Sequence, residues 1–497
     1  MTHALLLGDT TTKVMRIASL ARQSVRDYHW NAIITGPLHF QIRKLDRHHQ
    51  PQIDIHNRRQ LTRIITTAND ADVVYLVFDD SPAGELLAAD VANQLLSRYP
   101  QKVLHRLALS SLTLDGFSRA FTQPRPINHT LVRAEQQRRH LNFLFTHFGE
   151  KLTGAIIGRA ILPALHVLQE LHRPKQSRIM VELQSGVRLK SDFISTEQAS
   201  RLVNMIRPGM PVGHMDVTTK EVEMPPPEHC FTLNTLIPTA CEITGARAIE
   251  VLSQLSQLYD AGFVTTASGE LVASHTVHEL IEVLVGKEAV GSHKQHYGIV
   301  PTSIETFPDH IPKPVRHLYR IIWARTLQAH STTMRGLLCT GSVVVNGVRL
   351  TGESYVPVQN GHDHFSFGLF YRRGHISSVV TVASVSLSGG WPYEWELLRK
   401  FEQCGLGFES AARVIKALEN AHYIEAIGPE VATTHDGRTA LAAVADKTPL
   451  LLDLHIYRNT EQQLVAMRDG LDVGDVPARW DAWFRKQISA VKKEKCT

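Results

Sequence analysis

The chain has 497 residues, 43% of them hydrophobic and 20% charged, which is too long for a single core and too apolar for a disordered polypeptide. Its 53 Lys and Arg nearly balance 48 Asp and Glu, so the net charge of +5 gives no uniformly basic surface and any polyanion-binding face must come from local clustering. The 5 cysteines (Cys230, Cys241, Cys339, Cys404, Cys496) form no CxxC pair, which argues against a zinc ribbon and suits a reducing cytoplasm.

The N-terminal "MTHALLLGD" lacks the basic start and long apolar run of a signal peptide, and no apolar run reaches the ~18 residues of a membrane span, so a cytoplasmic chain without membrane contact is expected. "HALLLG" predicts a buried strand. "TTTKVMRIASLARQ" predicts a helix, with threonines suited to capping and an apolar period through Val14, Ile17 and Leu20. "DVVYLVF" is a second run of β-formers, closed by Asp79 and Asp80, and "SPAGELLAADVANQLL" reads as turn then helix. Strand, turn and helix twice over imply a parallel α/β sheet. Residues 129–172 read as helical, and "SRIMVELQSGVRLKSDF" as a β-hairpin. The prolines of "MPPPEHC" break the chain at 224–230. Residues 232–290 are helix-rich, 341–387 return to a β pattern with a hairpin around Asn346–Gly347, and 393–423 are helical again. Such an interruption implies one domain inserted within another.

Asp9 and Asp79 each close an apolar strand, where a parallel sheet presents its ligand crevice. Two carboxylates there suit Mg²⁺, which takes oxygen ligands; the competing assignment is helix capping, which the threonine-rich start favours for Asp9. Among the basic residues Arg133, Arg138, Arg139 and Arg159, guanidinium forks suit phosphate, and Arg133 and Arg138 read as solvated helix faces. The pairs His275/His278 and His293/His296, and the group His362, Asp363 and His364, have ligand-like spacing. Zinc needs three or four converging ligands, which spacing alone does not provide, so these read as surface residues.

The order of segments resembles the type IA DNA topoisomerases. "YLVFDDSPAGELLAADV" resembles the acidic Toprim motif, "LGDTTTK" the N-terminal acid and lysine (Asp9 and Lys13), and "IGRAILPALHVL" the Gly-Arg motif that keeps Gly158 and Arg159. "PRPINHTLVRAEQQRRHLNFL" resembles the helix after Toprim, "PPPEHCFTLNTL" the entry to the cleavage domain, and "LSQLYDAGFVTTAS" the tyrosine-bearing segment. "HYGIVPTS" resembles the His-x-x-Ile-x-Pro-Thr element, "HLYRIIWARTLQ" the helix closing that domain, and "CGLGFESAARVIKALENAHYI" the late Gly-Ile-Gly helix pair. The resemblance runs from residue 4 to about residue 425. It implies a multidomain toroidal fold of α/β, α and β parts. These are a Toprim domain over 1–150, a discontinuous helical domain over 151–205 and 386–497, a discontinuous β-rich arch over 206–230 and 326–385, and a helical cleavage domain over 231–325.

The departures from that pattern are chemical. Asp79 and Glu85 match the first and last acids, but Ser81 and Ala83 replace the middle two, leaving Asp80 as a partial substitute and a weak or absent Mg²⁺ site. Thr266 stands where the family keeps its nucleophilic tyrosine, and Ser268 where it keeps an arginine. A phenol of pKa about 10 is a workable leaving group, whereas an aliphatic alkoxide is far more basic, so strand cleavage would not be readily reversible. His296 is kept as a candidate phosphate contact, with Tyr297 beside it in place of a glutamate. The resemblance therefore implies a catalytically degenerate protein that binds single-stranded DNA through Lys13, Arg139, Arg159 and His296, with a protein partner supplying missing activity. Two alternatives stay open: an active topoisomerase with a relocated nucleophile, and a protein-interaction scaffold that does not bind DNA.

Overall fold

The structure is a computed structural model. It describes residues 1–36, 38–109, 111–156, 158–184, 188–224, 229–265, 298–303, 306–330, 334–357, 379–404, 411–427 and 430–494.

The N-terminal unit comprises β1 (Thr2–Gly8), α1 (Thr11–Ser24), β2 (Tyr28–Ile34), β3 (His39–Leu45), β4 (Pro51–His56), α2 (Arg58–Asn69), β5 (Val73–Leu76), α3 (Pro82–Arg98), β6 (Val103–Arg106) and α4 (Leu114–Thr122). Its sheet is wholly parallel, in the order β2-β1-β5-β6. The period of two along the strands sorts side chains into two cores. Ala4, Leu6, Val73 and Tyr75 face α1 and α4, whereas Leu5, Leu7, Val74 and Leu76 face α2 and α3. Both faces are covered, which is why "ALLL" and "VVYL" are continuous apolar runs. The sequence reading missed the β3–β4 hairpin, because its residues alternate between half-buried and exposed and contain no long apolar run.

After α5 (His129–Thr153) and α6 (Ile161–Leu171), the chain enters β7 (Gln176–Leu183), β8 (Arg188–Ser191), β9 (Ile194–Ser195), α7 (Thr196–Met205), β10 (Pro211–His214) and β11 (Asp216–Met224). Next come α8 (Leu233–Thr244), α9 (Ala248–Asp260) and α10 (Lys313–His330), then β12 (Met334–Val345), β13 (Val348–Pro357) and β14 (Val379–Ser388). β11 pairs antiparallel with β12, so the chain leaves and re-enters one sheet on either side of the helical segment. That sheet runs β10-β14-β7-β8-β13-β12-β11, with β9 paired to β7. β7 and β8 belong to the same sheet as β12–β14, β9 pairs with β7, and Ile179, Val181 and Leu202 share its core with Val343 and Leu350. Asn346 (φ 48°) and Gly347 (φ 78°) form the β12–β13 turn, the two left-handed residues a tight hairpin requires.

The last elements are α11 (Glu394–Gln403), α12 (Ala411–Asn420), β15 (Ile424–Ile427), β16 (Glu430–Thr433), α13 (His435–Lys447), α14 (Leu454–Arg468) and α15 (Val476–Glu494). α14 and α15 return to α5, where Leu141, Leu144, Phe145 and Phe148 pack with Leu464, Val476 and Phe484. Among the described residues, no helix is long and apolar enough to cross a membrane.

One core joins the N-terminal sheet to the helical segment, since Leu6, Ile17 and Phe117 cluster with Leu236, Leu258 and Val264. The tightest approach is at Gly262, which ends α9 at φ 79° with its amide donating to the Tyr259 carbonyl. A Cβ there would lie 2.7 Å from the Leu112 carbonyl oxygen. Gly262→Ala is thus expected to destabilise the protein by about 1–3 kcal/mol through backbone strain alone, read as a lower urea midpoint. An unchanged midpoint would show that this contact is not tight.

Candidate functional site

β1 and β5 end side by side, and the turns after them place two acids at one crevice. Asp9 follows β1, and Thr10 rather than Asp9 caps α1, its hydroxyl accepting from the Lys13 amide at 3.3 Å. That corrects the capping assignment made for Asp9. The Asp9 carboxylate instead meets Lys13, one turn into the helix and 4% exposed. Lys13 Nζ donates to Asp9 Oδ1 (2.8 Å) and Oδ2 (3.1 Å) and to Asp79 Oδ1 (2.5 Å). Burial alone would lower the pKa of this amine, but Asp79 and Asp9 outweigh it and the net shift is upward. The Tyr259 ring lies 5.5 Å from the ammonium, and its hydroxyl donates to the Leu109 carbonyl at 3.4 Å. Burial and then the surrounding carboxylates push the Tyr259 phenol well above its usual range. Asp260 closes the cluster, accepting from the Thr10 hydroxyl at 3.5 Å, with its carboxyl raised first by burial.

The remaining acids of the run are spent elsewhere. Ser81 caps α3, accepting from the Gly84 amide at 3.1 Å, and Gly84 has no room for a Cβ, which would lie 2.1 Å from the Asp79 carbonyl oxygen. Glu85 is 0% exposed. Its Oε1 accepts from Arg106 Nε and Arg125 Nη2, both at 2.8 Å, and its Oε2 from the Asn128 amide at 2.8 Å. Burial would raise this carboxyl, yet Arg106, the Asn128 amide and Arg125 hold it below the usual carboxylate range. Asp80 pairs with the same Arg125 at 2.6 Å. Asp79, Asp80 and Glu85, expected as metal ligands, therefore do not converge: one faces Lys13, one Arg125, and one two arginines and an amide. Among the described residues no group of three or more His, Cys, Asp or Glu is placed to hold a metal ion. The donor set does not fit Mg²⁺, because a dication would have to displace an ammonium already seated between the Asp9 and Asp79 carboxylates.

Of the arginines expected on DNA, Arg159 is buried and Arg139 half-buried. Arg159 is 9% exposed, pairs with the fully buried Glu461 of α14, donates from Nε to Asn142 Oδ1 at 3.1 Å, and lies over the Tyr457 ring. Arg138, read as solvated, is also buried and pairs with Glu135 and Glu461, each at 3.2 Å. Arg139 donates to Asp90 at 2.7 Å and to the Phe40 carbonyl at 3.3 Å, tying α5 to α3 and β3. Arg133 alone of the four is exposed, as expected. Thr266, Ser268, His275, His278, His293, His296 and Tyr297 lie outside the described residues, as do His362, Asp363 and His364. The chain on either side of the 266–297 segment is held together: Thr265 N donates to the Val300 carbonyl at 2.9 Å and Thr302 Oγ1 to the Gly262 carbonyl. Cys230 and Cys241 are buried, which pushes both thiols up to about 12.

Known proteins match the chain in sequence and in fold. The chain is 24% identical over 371 residues to DNA topoisomerase 1 of Rickettsia felis, covering 62% of this chain and 46% of that one. It is 21% identical over 484 residues to DNA topoisomerase 1 of Helicobacter pylori, covering 83% and 64%. The full-length topoisomerase I structure from Thermotoga maritima superposes with a TM-score of 0.66 at 18% identity, over 98% of this chain and 90% of that one. The chain is a distant relative of the type IA DNA topoisomerases. No protein-family model matches it. It spans 46% to 64% of the length of the curated topoisomerases named here.

Within this type IA fold, the sequence reading missed Arg106, Arg125, Tyr259, Asp260 and Glu461. An arginine ending β6 and an acid in the middle of α14 carry no local motif. A buried acid opposite an interior arginine could have been sought once the fold was known. If Arg159 is structural, Arg159→Ala leaves Glu461 with only Arg138 and lowers stability by roughly 3–5 kcal/mol, measured by urea denaturation. A fully stable Arg159→Ala variant that loses only DNA affinity would contradict this placement.

Proposed function

We propose that this type IA topoisomerase-like chain binds single-stranded DNA and holds it without cleaving it. The observation that carries the reading is the depleted acid run: its two middle acids are absent, and Asp79 is left opposite Asp9 with both already sharing Lys13, a lysine that the resemblance keeps. Ser81 and Ala83 add no charge, and Glu85 is neutralised by Arg106 and Arg125. The resemblance puts Thr266 and Ser268 at the tyrosine and arginine positions. The metal-binding charge is thus reduced and compensated, and the resemblance leaves no phenol at the tyrosine position.

DNA enters through the relatives, whose names are those of DNA topoisomerases, and through the ring that the resemblance implies. Arg139 and Arg159 are committed to interior acids, so phosphate contacts fall to exposed cations. Backbone contacts of that kind are insensitive to sequence and weaken as salt rises, because condensed counterions are released.

Purified protein is expected to retain single-stranded oligonucleotides over duplex in a steeply salt-dependent manner. It should give no Mg²⁺-dependent relaxation of supercoiled plasmid and no covalent adduct after denaturation. Relaxation abolished by Tyr297→Phe would establish a relocated nucleophile instead. Binding absent at every salt concentration would leave a protein-interaction scaffold.

A further inference from the structure

The end of α6 and the turn before α11 bring two aromatic rings face to face. Gly390, at φ 83°, makes this approach possible: its carbonyl accepts from the Arg173 amide at 2.9 Å, and a Cβ there would lie 2.3 Å from the Arg173 carbonyl oxygen. His172 and Trp391, neighbours of those residues, stack with centroids 3.6 Å apart and planes 9° from parallel. Both rings are partly exposed. Burial and then the charge of Arg438 lower the His172 pKa, so the imidazole is neutral at physiological pH. Two cations flank the pair. Arg173 is exposed and lies over the Phe193 ring at 4.4 Å. Arg438 is exposed at the start of α13, its guanidinium held by the Thr433 carbonyl at 2.6 Å. Neither has a carboxylate partner among the described residues, in contrast to Arg178 nearby, which is paired with Glu396.

We propose that the His172–Trp391 stack is a platform for an unpaired base of single-stranded DNA, with Arg173 and Arg438 receiving the adjoining phosphates. Neutral, partly open π-faces beside unpaired guanidinium groups are the chemistry of sequence-tolerant single-strand binding, and a duplex hides the base faces this site would use. The inference rests on the single-strand reading above and supplies the phosphate contacts that Arg139 and Arg159 do not.

The test compares oligothymidylate, an abasic backbone of equal length and duplex DNA, using wild-type protein, Trp391→Ala, and the surface double variant Arg173→Gln/Arg438→Gln. Wild type should prefer oligothymidylate to the abasic strand by about tenfold, as one stacked base implies. Trp391→Ala should abolish that preference and leave abasic binding unchanged. The double variant, which changes two exposed side chains, should weaken binding to both strands and reduce the slope of log affinity against log salt by about 1.4, the value for two phosphates of a single strand. If wild type binds both strands equally and with salt dependence, or the double variant matches wild type, the platform is wrong while the single-strand reading stands. If wild type binds no DNA at all, both fail.

Discussion

The arrangement of the N-terminal crevice depends on one ammonium group. Lys13 is buried one turn into a helix and can remain charged there only because Asp9 and Asp79 lie within hydrogen-bond reach. The same contact neutralises the acids. It fixes the ends of β1 and β5 relative to α1, and it draws in Tyr259 and Asp260 from α9, so the junction between the N-terminal sheet and the helical segment is organised around a lysine. A cation-binding crevice has the opposite requirement, an excess of carboxylate that only an incoming metal can relieve.

Charge compensation recurs through the molecule. Arg106 and Arg125 hold Glu85, Arg138 and Arg159 hold Glu461, and Arg139 holds Asp90. Each pair joins elements distant in sequence, and each occupies a side chain that the family resemblance would direct to metal or nucleic acid. The fold is that of a type IA topoisomerase, whereas its interior ion pairs serve to connect α3, α5, β6 and α14. Such pairs hold elements in register more than they add net stability, and removing one partner strands a buried charge.

Much of the fold was legible in the sequence because the signals are local. Continuous apolar runs marked β1 and β5, "SPAGELLAADVANQLL" marked the turn and helix of α3, and Asn346–Gly347 marked the hairpin. The roles of the charged residues were not legible, because a motif gives position but not partner. Glu85 matched the last acid of a metal run, yet its guanidinium partners lie 21 and 40 residues further on. Arg159 matched a DNA-contact motif, but its carboxylate comes from α14, in a stretch that the resemblance assigned to the helical domain without singling out a residue. Capping at Asp9 failed for a simpler reason: Thr10 offers a hydroxyl at the position with the right geometry, which frees the carboxylate for Lys13.

On the proposed reading, Lys13 takes the position between Asp9 and Asp79 that a divalent cation would need. Calorimetric titration of Mg²⁺ into the purified protein, with Lys13→Met as the comparison, separates the two occupants. No stoichiometric binding to the wild-type protein is expected at millimolar Mg²⁺, and a detectable site is expected once the ammonium is removed. Stoichiometric Mg²⁺ binding by the wild-type chain, abolished by Asp79→Asn, would contradict that reading.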